Sequence, residues 1–195
     1  MIVEKGLSMD AKTLLLKRNS HGKLEGPAPT EEQLDTLYRA ALRAPDHKGL
    51  TPWRFVEISG DGRKRLGELS ARAEKLRKPD ISEDKLDAIK LKAERAPMII
   101  AVIARIKDNK KVPRVEQVAS AACAAHAMLY AAELEGLGAM WRTGDFAHSP
   151  VVREGFGLTP VDELVGFIYL GHKIGNAKRL PKLEPKDFVE RWTSP

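Results

Sequence analysis

The sequence predicts an α+β fold: a mixed central sheet flanked by helices, in one domain that ends in an extended C-terminal arm. Three observations carry this expectation. Amphipathic stretches of helical period alternate only loosely with short β-branched runs, which favours a mixed sheet over a regular parallel one. The run Met98-Ile99-Ile100-Ala101-Val102-Ile103-Ala104 is apolar throughout, the pattern of a strand covered on both faces. The 195 residues are 43% hydrophobic and 31% charged, without repeats, low-complexity tracts or a second apolar concentration. A chain of this length buries roughly 70% of its extended surface and needs no metal or disulfide staple.

The elements follow in order. Asp10 to Arg18 is amphipathic through Leu14, Leu15 and Leu16, and the polar break Asn19-Ser20-His21-Gly22 ends it. Thr30-Glu31-Glu32-Gln33 has capping-box form, and Leu34, Leu37, Tyr38, Ala41 and Leu42 behind it recur at i, i+3, i+4, i+7 and i+8, so a helix runs to near Pro45. Trp53 to Ile58 is aromatic and β-branched, a strand closed by Ser59-Gly60-Asp61-Gly62. Leu66, Leu69, Ala73 and Leu76 mark another helix, and Ser82-Glu83-Asp84 opens a further one with acids in its first turn. After the Met98–Ala104 strand, Pro113 starts an alanine-rich helix that stops at Gly136. Eight alanines between Ala119 and Ala132 leave its faces shallow, open to another helix, another subunit or a flat ligand. Leu137 to Arg142 is a strand, Ser149-Pro150 caps a short helix, and Leu164 to Leu170 is the last strand. From Gly171 onward, Pro181 and Pro185 favour an extended arm.

Composition excludes several classes of function. The net charge of +6 suits an anionic ligand but falls short of a nucleic-acid arm. Residues 61–114 hold 16 Lys or Arg against 9 Asp or Glu, yet no aromatic platform or reader motif accompanies them, so a solvated surface is the reading. A single cysteine, Cys123, closes no intrachain bridge and points to a reducing cytosol. Met1-Ile2-Val3-Glu4-Lys5-Gly6 lacks the apolar core of a signal peptide, and the Met98–Ala104 run is far shorter than the ~20 residues of a membrane span. A soluble cytoplasmic protein is expected. Cys123 and His126 share a helix face, but no further ligands stand at metal-binding spacing, and they read as a small buried thiol beside a satisfied histidine. No G-x-S-x-G elbow or phosphate-binding G-x-x-x-x-G-K is present. Gly136-Leu137-Gly138 follows a helix and precedes a strand, the reverse of a dinucleotide loop, and reads as a helix cap and tight turn.

Two segments resist such bland readings. Arg18-Asn19-Ser20 sets a guanidinium, an amide and a hydroxyl where a helix ends, a combination able to hold a phosphate or a polar ring edge. Arg43-Ala44-Pro45-Asp46-His47-Lys48 packs four ionisable groups into six residues and runs through Pro52 into the aromatic strand. The residues alone point to a polar pocket for an anionic ligand between the second helix and the first strand.

At these residues the chain resembles the flavin-dependent nitroreductase superfamily, in particular its small YdjA-like branch. Leu14-Leu15-Leu16-Lys17-Arg18-Asn19-Ser20 and Ala40-Ala41-Leu42-Arg43-Ala44-Pro45-Asp46-His47-Lys48 carry the resemblance, with Pro52-Trp53-Arg54-Phe55 at the expected distance. Lys111 to Gln117, Gly136 to Gly144, Ser149 to Arg153 and Gly166 to Gly171 complete it in order. It begins near Met9, which leaves residues 1–8 as an N-terminal extension ahead of a nitroreductase-like FMN-binding domain at 9–195.

The resemblance implies a homodimer with an FMN in each pocket and both chains contributing. Arg18, Asn19 and Ser20 then bind flavin from the opposite subunit to the rest. Arg43 and His47 match further flavin positions, Trp141, Arg142 and Thr143 lie near the isoalloxazine, and Lys178 on the arm adds charge for the phosphate. The helix end Ala131-Ala132-Glu133-Leu134-Glu135-Gly136 corresponds to a nicotinamide-nucleotide region. Gly49 and Thr51 depart from the Asn and Gln common in the larger family, and Asn19 stands where a second arginine is common. The implied activity is an FMN-dependent NAD(P)H oxidoreductase that passes hydride through flavin N5 to a nitroaromatic or quinone acceptor by a ping-pong mechanism, without nucleic acid, membrane or metal. Arg18 and Arg142 serve as anchors and tuners, and no side chain is an obligatory proton donor. The alternatives are a non-catalytic flavin-handling protein and a basic nucleic-acid-binding module.

Overall fold

Residues 10–193 are described by a computed structural model of the chain, so the expected extension at 1–8 falls outside the described residues. Helix α1 (Ala11–Lys17) is capped by Asp10, whose carboxylate accepts from the Thr13 N–H at 3.0 Å. Helix α2 (Glu31–Ala41) starts with the predicted box in both directions. The Gln33 N–H donates to Thr30 Oγ1 at 3.3 Å, and the Thr30 N–H donates to Gln33 Oε1 at 3.0 Å. Between them lies a two-residue strand, β1 (Leu24–Glu25), too short for any periodicity to announce it.

The remaining elements are β2 (Trp53–Ser59), α3 (Asp61–Arg77), α4 (Glu83–Lys90), β3 (Met98–Ala104), α5 (Arg114–Leu134), β4 (Gly138–Arg142), α6 (Pro150–Gly155) and β5 (Glu163–Lys173). The sheet runs β1-β5-β3-β2, with β4 also on β5. It was expected to be mixed, but every described pairing is antiparallel. The register shows the reason for the central pair. Ser59 faces Met98, so the α3–α4 hairpin returns the chain to the end of the sheet where β2 finished, and β3 has to run back. Two other boundaries shift. β5 continues past Leu170 because β1 pairs with His172 and Lys173, so the arm begins later than Gly171. The Ser149 hydroxyl makes no cap on α6; it is buried without a partner among the described residues.

β3 is buried along its whole length, as a doubly covered strand should be. Met98, Ile100 and Val102 join Ile168 and Leu170 under α2 and α5, against Leu34, Leu37, Ala124, Ala125 and Met128. Ile99, Ala101 and Ile103 face the other way with Phe167 and Tyr169, covered by Leu66 and Ala73 of α3 and Val152 of α6. The inward stripe of α5 therefore runs through residues 121, 124, 125, 128 and 132, and the buried thiol expected at Cys123 is not there. Cys123 and His126 both lie on the exposed side of the helix, where the His126 ring meets the Tyr130 ring edge-on at 4.8 Å. Among the described residues, no helix is long and apolar enough to cross a membrane. Residues 175–193 form an exposed arm, with Leu183, Phe188, Val189 and Trp192 between 63% and 93% accessible.

Two local features lend themselves to measurement. Gly166 sits at φ 153° where the β3–β5 register slips, and a Cβ there would lie 2.2 Å from Trp141 Nε1. Gly166→Ala should cost about 3 kcal/mol, read as a lower urea midpoint at unchanged slope, since neither backbone nor indole has room to yield. An unchanged midpoint would contradict this packing. Asp162 is buried, and its carboxylate accepts from the Ile106 N–H at 3.0 Å and the Thr159 N–H at 2.9 Å. Burial pushes its carboxyl up, but the Thr159 amide and hydroxyl, the Ile106 amide and the Arg105 charge together hold it below the usual 3.8. A depressed folded value stabilises above the unfolded one and is lost as pH falls through it. The stability gap between the native chain and Asp162→Asn is therefore expected to be full at pH 7 and to shrink only below about 3.8. A gap that is flat down to pH 2 would contradict the assignment.

Candidate functional site

The loop after α1 is held from three sides. The His21 N–H donates to the Ala139 carbonyl on β4 at 2.9 Å, and the His21 imidazole bonds the Ile174 carbonyl through Nε2 at 2.9 Å. The Asn19 amide donates to the backbone carbonyl of Lys178, while its own oxygen accepts from the Ser20 N–H at 2.9 Å. These bonds bring Arg18, Asn19 and Ser20 to the start of the arm and beside the first residues of β4. The Arg18 guanidinium lies 5.5 Å from the Tyr130 ring centroid, and that of Arg142 lies 5.3 Å from the centroid of Tyr169. A Cβ on Gly22 would come within 3.4 Å of Arg142 Nη2, so loop and strand end are in near contact. Arg18 Nη1 and Arg142 Nε are both buried with no hydrogen-bond partner among the described residues. Such a donor costs on the order of 1–3 kcal/mol to leave unmet, a cost that an anionic ligand would remove.

Beside Arg142 opens a cleft of about 540 Å³, within the range of cofactor sites. Arg142, Thr143, Gly144 and Asp145 form one wall with Tyr169, and Ser70, Glu74 and Arg77 of α3 form another. Lys92 and Arg95, from the turn after α4, close a third side. Arg77 donates to Glu74 through Nη2 at 2.7 Å and Nε at 3.0 Å, and its Nη1 lies 3.7 Å from Asp145. Arg77 and Lys78 together hold the Glu74 carboxyl below its usual range, chiefly through the Arg77 hydrogen bond. Burial pushes the Tyr169 phenol up, against the opposing charges of Arg142 and Arg95. Arg77, Lys92 and Arg95 were not singled out from the sequence. Their one trace there was the cation excess of residues 61–114, which reads equally well as solvated surface.

The other predicted residues stand elsewhere. Trp141 alternates away from Arg142 and donates from Nε1 to the Val165 carbonyl at 3.3 Å, so only its two successors line the cleft. His47 Nδ1 lies 2.8 Å from Glu116 at the first turn of α5, and Arg43 is exposed nearby in sequence. Arg18 lies over Tyr130, fourteen residues further along that helix, about 21 Å away at 1.5 Å per residue. Within one chain Asn19 meets Lys178 and Gly22 of the same loop approaches Arg142, while His47 stands apart at the far end of α5. The His47 turn is held in uncommon backbone geometry, with Lys48 at φ 63° and Thr51 at φ 47°. The Asp46 carboxylate fixes it by accepting from the Leu50 and Thr51 amides at 3.0 and 2.6 Å.

The segment Ala131–Gly136 ends α5. Ala131 and Ala132 are buried, Glu133 pairs with Lys173 at 2.8 Å, and the Glu135 carbonyl accepts from Gln33 of α2 at 3.3 Å. Leu134 is half exposed, and Gly136 turns the chain at φ 73°.

Comparison with known proteins gives a consistent result. The model of the Nitroreductase family matches residues 15–172. The chain is 49% identical over 164 residues to "Putative NAD(P)H nitroreductase YdjA" of Escherichia coli (strain K12), covering 84% of this chain and 88% of that protein. It is 37% identical over 183 residues to "Putative NAD(P)H nitroreductase" of Haemophilus influenzae, covering 93% and 98%. Among solved structures, the nitroreductase-like family protein from Bacillus cereus superposes with a TM-score of 0.81 at 22% identity, over 95% of this chain and 97% of that one. A "putative nitroreductase in complex with fmn" from Desulfovibrio desulfuricans superposes with a TM-score of 0.69 at 20% identity, over 92% and 95%. At such identities the solved structures share the fold.

Proposed function

The chain belongs to the nitroreductase family, and on that premise we propose that it is an FMN-dependent NAD(P)H oxidoreductase acting on nitroaromatic or quinone-type acceptors by a ping-pong sequence. The observation that carries the reading is a pair of buried guanidinium N–H groups without partners among the described residues: Arg142 lines a cleft of flavin size, and Arg18 stands on the loop whose Gly22 approaches Arg142. FMN, when bound, supplies two-electron hydride chemistry at its N5.

The residues present fit that group. Arg18 and Ser20, with the side chain of Lys178, offer charge and donors for a phosphate, and Asn19 ties the arm in place beside them. Arg142 and Thr143 line the cleft where the ring system would lie. Neither arginine is asked to move a proton, and the buried Tyr169 phenol keeps its own. His47 meets the first turn of α5, about 21 Å from Tyr130 and Arg18, which supports the supply of His47 and the neighbouring Arg43 by a second copy. The exposed apolar arm supports the same homodimer, since nothing among the described residues of its own chain covers it.

The test is a spectrum. Purified protein reconstituted with FMN should be yellow, bleach anaerobically with NADH or NADPH, and regain colour on adding a nitroaromatic or quinone. For a nitro group, one N–O bond breaks and one water leaves for each NAD(P)H and proton consumed in forming the nitroso product. A colourless protein that ignores added FMN overturns the reading. Bound flavin that neither nucleotide reduces would make the chain a flavin carrier instead.

A further inference from the structure

Four cations, Arg77, Lys92, Arg95 and Arg142, line the cleft against two acids. Its acids, Glu74 and Asp145, both face Arg77, and Glu74 also meets Lys78 at 3.3 Å. Arg142 is stacked on Tyr169 at the side where the Arg18 loop arrives. Lys92 and Arg95 are left. Neither makes an ion pair among the described residues, and both border the cleft.

Their spacing accounts for the shared direction. Leu91–Glu94 is a 3-10 turn with Arg95 as its C-cap, and in that geometry side chains at i and i+3 eclipse one another. Lys92 and Arg95 therefore stand one above the other on the cleft side. Glu94, the acid of the same turn, lies on the far side in a groove with Lys64, Asp87 and Lys90, where it does not neutralise them. Two aligned, unpaired cations in a concave wall form a seat for an oxyanion.

Building on the oxidoreductase reading of this cleft, we infer that Lys92 and Arg95 are specificity-determining residues that favour redox partners bearing a carboxylate or phosphate over neutral ones of the same shape. The anion can belong to the acceptor or to the nucleotide donor, and the experiment separates these sources. The acceptor arm compares kcat/KM for 4-nitrobenzoate with that for 4-nitrobenzyl alcohol. The donor arm compares NADH with the uncharged 1-benzyl-1,4-dihydronicotinamide. Each is measured for the FMN-loaded native protein, Lys92→Gln/Arg95→Gln and the charge-conserving Lys92→Arg/Arg95→Lys. Calorimetric binding of benzoate against benzyl alcohol to the same three loaded proteins gives a readout independent of turnover.

In at least one arm, the native protein should prefer the anionic compound by on the order of tenfold, as two exposed charges permit. That preference should weaken with added salt, collapse in the Gln variant and persist in the charge-conserving one. Benzoate affinity should follow the same order if the acceptor carries the anion. Equal treatment of charged and neutral compounds in both arms, or a preference that survives in the Gln variant, overturns the inference. So does loss of FMN from the Gln variant, which would assign the two cations to the flavin. The neutral acceptor and donor report separately on the underlying activity: if the native protein turns over neither pair, it is the oxidoreductase reading that fails.

Discussion

Arg18→Ala is expected to lower FMN affinity roughly 10- to 150-fold, the range for one hydrogen bond to a charged group. Arg18 Nη1 is buried and lacks a partner among the described residues, so the ligand-free protein already bears the cost of that group. Removing it should leave the ligand-free protein about as stable as before, the lost stacking on Tyr130 being offset by relief of the orphaned donor. The signature is thus a weak flavin complex in a protein of unchanged melting temperature, read by fluorescence titration and thermal unfolding. Arg18→Lys, which keeps charge but loses the forked donor, should fall between the two. Native affinity in Arg18→Ala would remove the arginine from the site.

Deleting residues 176–195 should have the larger effect. Leu183, Phe188, Val189 and Trp192 are 63–93% exposed, and burial of each against a second chain would contribute about 1.5–3 kcal/mol. Their loss is expected to raise the dimer dissociation constant by several orders of magnitude. The deletion also removes the Lys178 carbonyl that fixes the Asn19 amide, so the Arg18 loop loses one of its ties. The truncated chain should therefore sediment as a monomer and bind FMN poorly even at high protein concentration. A yellow, dimeric truncated protein would show that the arm serves neither purpose.

Much of the architecture was legible because it rests on local rules. The box at Thr30 and Gln33, the seven buried residues of β3 and the Pro113-to-Gly136 span of α5 each follow from near neighbours in sequence. What escaped depends on distant partners. Strand direction is set by where a pair of helices returns the chain, and a two-residue strand exists only because β5 offers it an edge. The exposure of Cys123 and His126 was hidden because, in a helix so rich in alanine, composition barely distinguishes the inner face from the outer. The candidate site was half legible. Arg18 stood out beside small polar residues and Arg142 came with the family resemblance, whereas Lys92 and Arg95 become a wall only once α4 and its turn fold back toward Tyr169. Trp141, adjacent to Arg142, alternates to the opposite face and packs into the irregularity at Gly166.

The distance between His47 and Arg18 along α5 bears on genetics as well as chemistry. If each flavin site draws these residues from different polypeptides, two defective alleles should rescue one another. Coexpressed chains carrying Arg18→Ala on one and a joint Arg43→Ala and His47→Ala replacement on the other would form hybrids in which one site inherits both lesions and its twin inherits none.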